Sequence, residues 1–445
     1  MQELRSQVVC LLRLSLAASA IVAAPLSASG ETLLLNGATV HTISGETLVP
    51  GQVLIRDGKI ASVGKTVPAE GATTIELAGQ HLYPGLIALN TVLGLTEISG
   101  VRATQDTTEV GDDFTPDVES WVAVNPDSEL IPVTRANGIA CFEPVPNGHI
   151  ISGQSALVAT AGWTTEEMTL KKPLALHLFW PQMELDTTPK EKARDKAKWK
   201  SLEDQAKERR ARLRAIEDFF EEAKAYAKAK DAAAKGQVPA PELTPAWEAM
   251  LPFVAGTRPI MIHADEVRQI RAAVQWADTN GYHVILAGGR DAWMAADLLA
   301  AKKIPVIYGD VFTQPARDWA SYDIPFRAPA ILHQAGVQVV FCLGSDSFDA
   351  PLTRNLPYAA AQAAAFGFPE VEALKGLTLY PAQLAGVGDR LGSIEPGKDA
   401  TLFAADGDIL DIRANVKRMW IVGKEVSLET RHTRLYEKYK NRPRP

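Results

Sequence analysis

The chain has 445 residues, of which 22% are charged and 46% are hydrophobic, and its formal net charge is −7. These proportions are typical of a folded globular protein and exclude a disordered chain. The sequence has no stripe of clustered Lys and Arg, so a nucleic-acid partner is not expected. The length is enough for one large domain with a smaller partner domain.

The first thirty residues have the composition of a secretory signal. Arg5 and Arg13 precede the apolar run Leu14–Leu26, and small residues follow at positions 28–30. This order of basic, apolar and small residues is typical of a cleaved signal peptide. The apolar run is too short to span a membrane comfortably. We therefore predict that residues 1–30 are removed and that the mature protein, without a membrane span, is periplasmic or secreted.

The next segment, residues 32–80, alternates apolar and polar side chains and turns often. Asn36-Gly37 and Asp57-Gly58 are strong hairpin signals. Residues 391–426, near the other end of the chain, have the same texture. We predict a small sheet built from both chain ends.

Between these segments, apolar runs alternate with helical patterns, which predicts parallel β/α units. Eight strands are predicted, at Leu86–Asn90, Gly138–Glu143, Ile150–Thr160, Leu174–Trp180, Pro259–Ala264, Tyr282–Gly288, Ile304–Gly309 and Val337–Gly344. Eight such strands fit a TIM-type (β/α)8 barrel, in which the active site lies at the carboxyl ends of the strands. Cys141 and Cys342 fall inside two of these runs, which predicts buried thiols.

The connection between the fourth and fifth strands is too long for a loop. Its segment Thr188–Lys235 is dense in charged residues and Ala, with sparse apolar residues at helical spacing. This pattern predicts one or two long helices with a narrow apolar stripe. Two interpretations stay open, namely an insertion packed on the outside of the barrel and a lid or subunit contact.

Two motifs then identify a family resemblance. Pro84–Ile87 reads PGLI at the start of the first strand, and Thr378–Ala400 reads TLYPAQLAGVGDRLGSIEPGKDA. In both stretches the sequence resembles the amidohydrolase superfamily, close to its imidazolonepropionase-like branch. The resemblance implies an α/β fold, with a TIM-type barrel, a small β-sandwich formed by both chain ends and a helical insertion. The implied parts are a signal at 1–30, a composite sandwich at 31–83 and 385–428, a barrel at 84–384 with a charged insertion at 182–250, and a tail at 429–445.

The first strand departs from the pattern of that family. There the strand reads P-G-L-I-D-x-H-x-H, and its two histidines hold a catalytic metal. Ala88 stands here in place of the Asp, and Asn90 and Val92 stand in place of the histidines. The scaffold signature is therefore present without its metal ligands.

The other strand ends supply the remaining site residues. The resemblance implies that His263 is a metal ligand and that Asp346 is the catalytic acid or base. The alternatives are a histidine satisfied within the pocket or core, and a carboxylate that binds backbone amides. Further residues predicted to line the pocket are Asn90, Gln154, Gly288 and His177. For His177, a core histidine is the favoured interpretation.

A catalytic zinc normally has three protein ligands and a water. The sequence offers too few, so we expect less than one tightly bound zinc, and a zinc or other divalent cofactor only if other residues rebuild the site. Two functions remain open. One is an exported hydrolase of carbon–nitrogen bonds, such as those of cyclic amides, with an atypical metal site. The other is an inactive amidohydrolase-like subunit that binds a ligand or a partner amidohydrolase. The expected partners are a small molecule and either a second copy or a paired subunit.

Overall fold

The computed structural model describes residues 32–443. The predicted signal peptide lies outside the described residues and stays a prediction. Within residues 32–443 the strands are β1 Leu33–Val40, β2 Leu48–Arg56, β3 Lys59–Gly64, β4 Thr73–Glu76, β5 His81–Pro84, β6 Leu86–Thr91, β7 Ile139–Pro144, β8 Ile151–Gln154, β9 Leu157–Ala159, β10 Thr169–Lys171, β11 Leu176–Phe179, β12 Ile260–Ala264, β13 Val284–Gly288, β14 Val306–Tyr308, β15 Val339–Phe341, β16 Leu402–Ala405, β17 Val416–Ile421 and β18 Lys424–Glu425.

The α-helices of the same described range alternate with the later strands. They are α1 Leu130–Arg135, α2 Thr165–Met168, α3 Leu202–Ala234, α4 Pro245–Val254, α5 Val267–Asn280, α6 Ala296–Ala301, α7 Ile324–Gln334, α8 Leu356–Ala365, α9 Glu370–Leu377, α10 Leu379–Leu384 and α11 Arg431–Lys440. The fold is therefore of the mixed α/β type.

The two chain ends meet in one sheet of eight strands. Its order is β18-β17-β16-β5-β1-β2-β3, and β4 pairs with β1. The junction is the antiparallel pair of β16 and β5, in which Leu402 faces Pro84. Side chains that include Leu35, Val53 and Trp420 form a separate apolar core under this sheet. The predicted β-sandwich stays a prediction, since the strands form a single hydrogen-bonded sheet.

The charged residues of the motif that ends at Ala400 hold this sheet together. Asp399 is buried, and it forms ion pairs with Lys59 at 2.9 Å and with Arg390 at 2.8 Å. Lys398 is also buried and donates to the Ser393 hydroxyl at 2.5 Å. Buried charges need such partners to be tolerated. The motif therefore has a structural role in joining the first strands to the last segment.

A second sheet runs in the order β15-β14-β13-β12-β11-β8. The five strands from β11 to β15 are mutually parallel, so their carboxyl ends lie at one edge. The third sheet, β10-β9-β7-β6, contains the parallel pair of β6 and β7. Because the described strands of the barrel region are divided between two sheets, the closed eight-stranded barrel stays a prediction.

The single predicted strand at Ile150–Thr160 is wrong. The structure divides it into β8, which is antiparallel to β11, and β9, which is antiparallel to β7 in the other sheet. Gly153 has φ of +123°, and a Cβ there would lie 2.6 Å from the carbonyl oxygen of Val118. The chain leaves the first of these sheets after Gln154 and enters the other at Leu157, which the uninterrupted apolar run did not reveal.

The insertion is helical only in part. Within Thr188–Lys235, α3 begins after Ser201, whose hydroxyl accepts the backbone N–H of Asp204, as expected of an N-cap. The preceding residues from 188 form turns and one short 3-10 turn at Lys190–Lys192, where side chains such as Asp195 bind backbone amides. Such local bonds compete with helix formation.

The apolar stripe of α3 is buried against the rest of the chain. Ile216, Phe220 and Ala223 are buried and belong to the large core. The ring of Phe220 meets Trp276 of α5 edge-on, with centroids 4.9 Å apart. The insertion therefore packs on the outside of the parallel sheet. No helix within residues 32–443 combines the length and apolar character needed to cross a membrane.

Candidate functional site

Two histidines of adjacent strands meet inside the parallel sheet. In the register of β11 and β12, Phe179 faces His263, so His177 lies diagonally across from His263. The Nδ1 atom of His177 and the Nε2 atom of His263 are 2.9 Å apart and form a hydrogen bond. His177 is fully buried, and Phe179 stacks on the ring of His263 with centroids 4.0 Å apart.

This pairing fixes the charge state of His263. Burial lowers its pKa well below the ordinary value, and the neighbouring His177 lowers it further. The two imidazoles therefore share one hydrogen bond, with one ring as donor and the other as acceptor. His177 is therefore both a buried residue of the core and a hydrogen-bond partner of a predicted site residue.

Glu143 of β7 extends the chain of polar groups, and the sequence interpretation missed it. Its Oε1 atom lies 3.6 Å from Nε2 of His177 and accepts the hydroxyl of Ser155 at 2.6 Å. Both Glu143 and Ser155 are fully buried. The available signal was a single charge inside an otherwise apolar strand, IACFEP. Buried carboxylates are rare enough that such a charge predicts a specific role.

Asn90 lies beside Glu143 at the end of β6. Its backbone N–H donates to Oε2 of Glu143 at 3.0 Å, and its Nδ2 lies 3.6 Å from Sγ of Cys342. Asn90 has φ of +54°, a conformation that Asn adopts more readily than most residues. Burial raises the pKa of the Cys342 thiol to about 12, so it stays protonated. Cys141 and Cys342 are both buried and unpaired, as predicted from the sequence.

Gln154, which was predicted to line the pocket, lies apart from the two histidines. Gln154 faces Leu176 at the opposite end of β11 from His263, and its Nε2 donates to the carbonyl of Pro116 at 2.8 Å. It is therefore not a residue of the same pocket.

Asp346 makes contacts to backbone amides, as in the alternative to catalysis, and its catalytic role stays a prediction. It is exposed, and its Oδ1 accepts the backbone N–H of Phe348 at 3.1 Å. Its own N–H donates to Oδ2 of Asp349 at 2.9 Å. Among the hydrogen bonds of residues 32–443, none joins Asp346 to His263. The carboxylate thus caps a turn.

Gly288 makes room for a carboxylate that the sequence interpretation missed. It ends β13 with φ of +90°, and a Cβ at this position would lie 2.4 Å from Oδ1 of Asp265. Asp265 follows β12, two residues after His263, so the space beside Gly288 holds its carboxylate. The prediction that the backbone at Gly288 allows a close approach fits this contact, with Asp265 as the approaching group.

A cleft opens at this edge of the sheet. Its volume is about 490 Å³, and it is lined by the loop at 182–187 together with Asp265, Glu266, Gln269 and Arg290. A second cavity of about 670 Å³, lined by the start of the insertion, shares part of the loop. The carboxyl ends of parallel strands are the usual place for an active site in α/β proteins.

Two carboxyl groups near the cleft are easily protonated. Burial raises the pKa of Asp310, at the end of β14, to about 7, and the charge of Asp265 contributes in the same direction. Desolvation also raises the pKa of Asp265, which is an exposed residue, so this effect is weaker than at the half-buried Asp310. Carboxyls with pKa near neutral pH are suited to general acid and base catalysis.

Two arginines lie among the acidic residues at this edge of the sheet. Arg317 forms a bidentate pair with the buried Asp291, at 2.7 and 2.6 Å. Arg290 lines the cleft, while its Nε atom is buried 3.8 Å from Oδ1 of Asp291 and makes no hydrogen bond among the described residues.

The described residues do not fit the zinc centre that the family resemblance implies. Among residues 32–443, no group of three or more His, Cys, Asp or Glu side chains is arranged to hold a metal ion. His177 and His263 direct one nitrogen each at the other, which removes these lone pairs from a common ion. The prediction of less than one tightly bound zinc stays a prediction for metal analysis.

Comparisons with known proteins agree with the resemblance to amidohydrolases. The sequence profile of the amidohydrolase family matches residues 325–426. The structure of an amidohydrolase from Thermotoga maritima MSB8 is similar, with 28% sequence identity, a TM-score of 0.78, and coverage of 89% of this chain and 99% of that chain. No curated protein sequence matches this chain.

More distant structures share the fold alone. Phenylurea hydrolase B is 14% identical with a TM-score of 0.53, over 89% of this chain and 97% of that chain. An adenosine deaminase from Xanthomonas campestris with bound zinc is 17% identical with a TM-score of 0.50, over 92% of this chain and 97% of that chain. The predicted resemblance to the amidohydrolase superfamily is thus confirmed, while the particular branch stays a prediction.

Proposed function

We propose that this chain, a relative of the amidohydrolase superfamily, hydrolyses a carbon–nitrogen bond of a small non-peptide amide, such as a cyclic amide. The observation that carries the proposal is the cleft at the carboxyl ends of β12 and β13, where the Asp265 carboxylate lies beside the guanidinium of Arg290. Export of the mature protein is part of the proposal, and it rests on the composition of residues 1–30.

The chemistry needs a base, an acid and an oxyanion partner. A water oxygen attacks the carbonyl carbon, and one carboxylate of the pair Asp265 and Asp310 accepts the proton of that water. The other carboxyl, in its protonated form, donates its proton to the leaving nitrogen as the carbon–nitrogen bond breaks. The guanidinium of Arg290, a residue that lines the cleft, stabilises the charge on the carbonyl oxygen. The products are a carboxylic acid and an amine.

A hydrolysis assay tests this function. The purified protein is incubated with a panel of cyclic amides and acyclic aryl amides, and ring opening or amine release is followed. We expect turnover of at least one class, with kcat reduced about 100- to 10,000-fold in Asp265→Asn and Asp310→Asn. The matched control is Asp278→Asn, because Asp278 forms only a surface ion pair with Lys302. Equal activity of all three variants would refute the assignment.

A second function is favoured by the histidine pair. A metal-dependent hydrolase needs free imidazole nitrogens, and here His177 and His263 use one nitrogen each on one another. This arrangement supports an inactive subunit that binds a ligand or a partner amidohydrolase. It predicts no turnover of any amide in the panel, together with ligand-induced thermal stabilisation that Asp265→Asn abolishes. Turnover by the isolated chain would exclude it.

A further inference from the structure

The helix α11 carries an apolar stripe that faces solvent. Residues at intervals of three and four form this stripe, namely His432, Leu435, Tyr436 and Tyr439. Leu435 is 37% exposed, and Tyr436 and Tyr439 are 63% and 60% exposed. In most surface helices such a stripe packs against the core of the same protein. Within the described part of the chain, however, α11 has no buried residue.

The other side of α11 is joined to the rest of the protein by polar contacts. Nη2 of Arg434 donates to both carboxylate oxygens of Glu129, at 2.7 and 2.9 Å. With 3.6 residues per turn, Arg434 lies on the opposite side of the helix from Tyr436 and Tyr439. These contacts therefore hold the helix in an orientation that leaves its apolar stripe outward.

Positive charges border the stripe. The ammonium group of Lys438 lies 5.7 Å from the ring centroid of Tyr439. That of Lys440 lies 5.4 Å from the ring centroid of Tyr436. The segment Arg431–Arg442 has five basic side chains and one acidic side chain, whereas the net charge of the whole chain is −7. The helix is thus a positive site on a negative protein.

A helix of this composition suits the surface of an anionic membrane. In such helices aromatic and leucine side chains enter the headgroup region, while lysine and arginine side chains extend to the lipid phosphates. A protein partner needs a larger surface, since a standard interface buries about 800 Å² on each partner. Two tyrosines and one leucine expose only a few hundred Å². The negative charge of the rest of the chain repels anionic lipids, which limits the contact to this helix.

We propose that α11 binds the surface of membranes that contain anionic lipids. Leu435, Tyr436 and Tyr439 then lie at the level of the headgroups. Lys438 and Lys440 contact the lipid phosphates. The helix has ten residues, so it lies on the membrane rather than across it. Salt screens the attraction between these few charges and the lipids, so the binding is reversible and weakens as ionic strength rises. This inference depends on neither the hydrolase function nor export.

Vesicle flotation tests the proposal. The full chain is mixed with vesicles of equal parts phosphatidylglycerol and phosphatidylcholine, and the floated fraction is measured. Each basic residue near such a surface changes partitioning roughly fivefold, so Lys438→Gln combined with Lys440→Gln should weaken binding at least tenfold. The matched control is Lys207→Gln with Arg210→Gln, which removes two exposed charges from α3. Residues 1–30 are identical in all variants, so they do not affect the comparison.

A second variant tests the apolar stripe. Tyr436→Ser with Tyr439→Ser keeps every charge, and both side chains are exposed, so the melting temperature should not change. We expect about tenfold weaker binding to the same vesicles. Absence of flotation in the wild type, or equal flotation of the wild type and both α11 variants, would overturn the proposal. A change in oligomeric state without a change in flotation would also overturn it, because α11 would then contact a second copy. Failure of the amide assay leaves each of these results unaffected.

Discussion

The imidazole of His177 is hydrogen-bonded to that of His263 across two adjacent parallel strands, Nδ1 to Nε2 at 2.9 Å. His177 also lies beside the buried carboxylate of Glu143, and His263 lies two residues before Asp265, which lines the cleft. Interior and cleft are therefore parts of one polar arrangement. The shifted pKa values in this arrangement predict how the stability of the protein depends on pH.

The first prediction concerns the stability of the protein in acid. His263 has a pKa far below 6.5 in the folded state, because burial and His177 disfavour its charged form. The unfolded chain binds more protons between that low value and 6.5, so the free energy of unfolding falls as the pH drops through this window. Urea denaturation at pH 7.5 and pH 5.0 measures how far the free energy of unfolding falls between these values. The fall should be smaller in His263→Gln than in the wild type, by on the order of 1 kcal/mol. An equal loss in both proteins would contradict a neutral His263.

Asp310 predicts the opposite pH dependence. Its folded pKa of about 7 lies above that of the unfolded side chain, mainly because of burial. The folded state binds more protons between about pH 4 and 7, so stability falls as the pH rises through this window. Asp310→Asn should raise the melting temperature by at least ~2 °C at pH 8 and leave it unchanged near pH 4. A stabilisation of equal size at both pH values would mean that Asp310 ionises normally.

The strands of the parallel sheet could be predicted, because buried parallel strands are continuous apolar runs between turn signals. The helix α3 could also be predicted from its composition. The contacts of the candidate site could not. His177 and His263 are far apart in the sequence, and their hydrogen bond depends on a strand register that no local pattern specifies.

Other site features depended on backbone geometry. Gly153 and Asn90 have positive φ, which no local sequence pattern specified. The contacts beside them, from Gln154 to the carbonyl of Pro116 and from the N–H of Asn90 to Glu143, were equally hidden. A family resemblance places residues by strand number, so it assigned Asp346 to catalysis, while the fold uses Asp346 in a turn. Glu143 was missed because a charge in an apolar strand does not indicate which residues it contacts.

The insertion provides a prediction about packing. Phe220 of α3 is 2% exposed and contacts Trp276 and Tyr282, with ring centroids 4.9 and 5.1 Å away. Phe220→Ala should lower the free energy of unfolding by about 3 kcal/mol or more, since it leaves a cavity in the core. Leu202 at the start of the same helix is exposed, so Leu202→Ala is the control and should stay within about 0.5 kcal/mol. A small effect at Phe220 would show that the insertion can leave the sheet as a lid.

The last prediction tests why β13 ends in glycine. A Cβ at Gly288 would lie 2.4 Å from Oδ1 of Asp265, and the backbone has φ of +90°. Gly288→Ala therefore combines backbone strain with displacement of the Asp265 carboxylate, and should cost roughly 1–3 kcal/mol of stability.

The matched control for that change is Gly236→Ala. Gly236 follows α3 with φ of +69°, and a Cβ there meets nothing within 4 Å, so this variant has backbone strain without a clash. The difference between the two variants in free energy of unfolding measures the clash with Asp265. The double variant Gly288→Ala with Asp265→Ala should recover that difference. If Gly288→Ala and Gly236→Ala lower the free energy of unfolding and weaken ligand binding equally, the space beside Gly288 does not position Asp265.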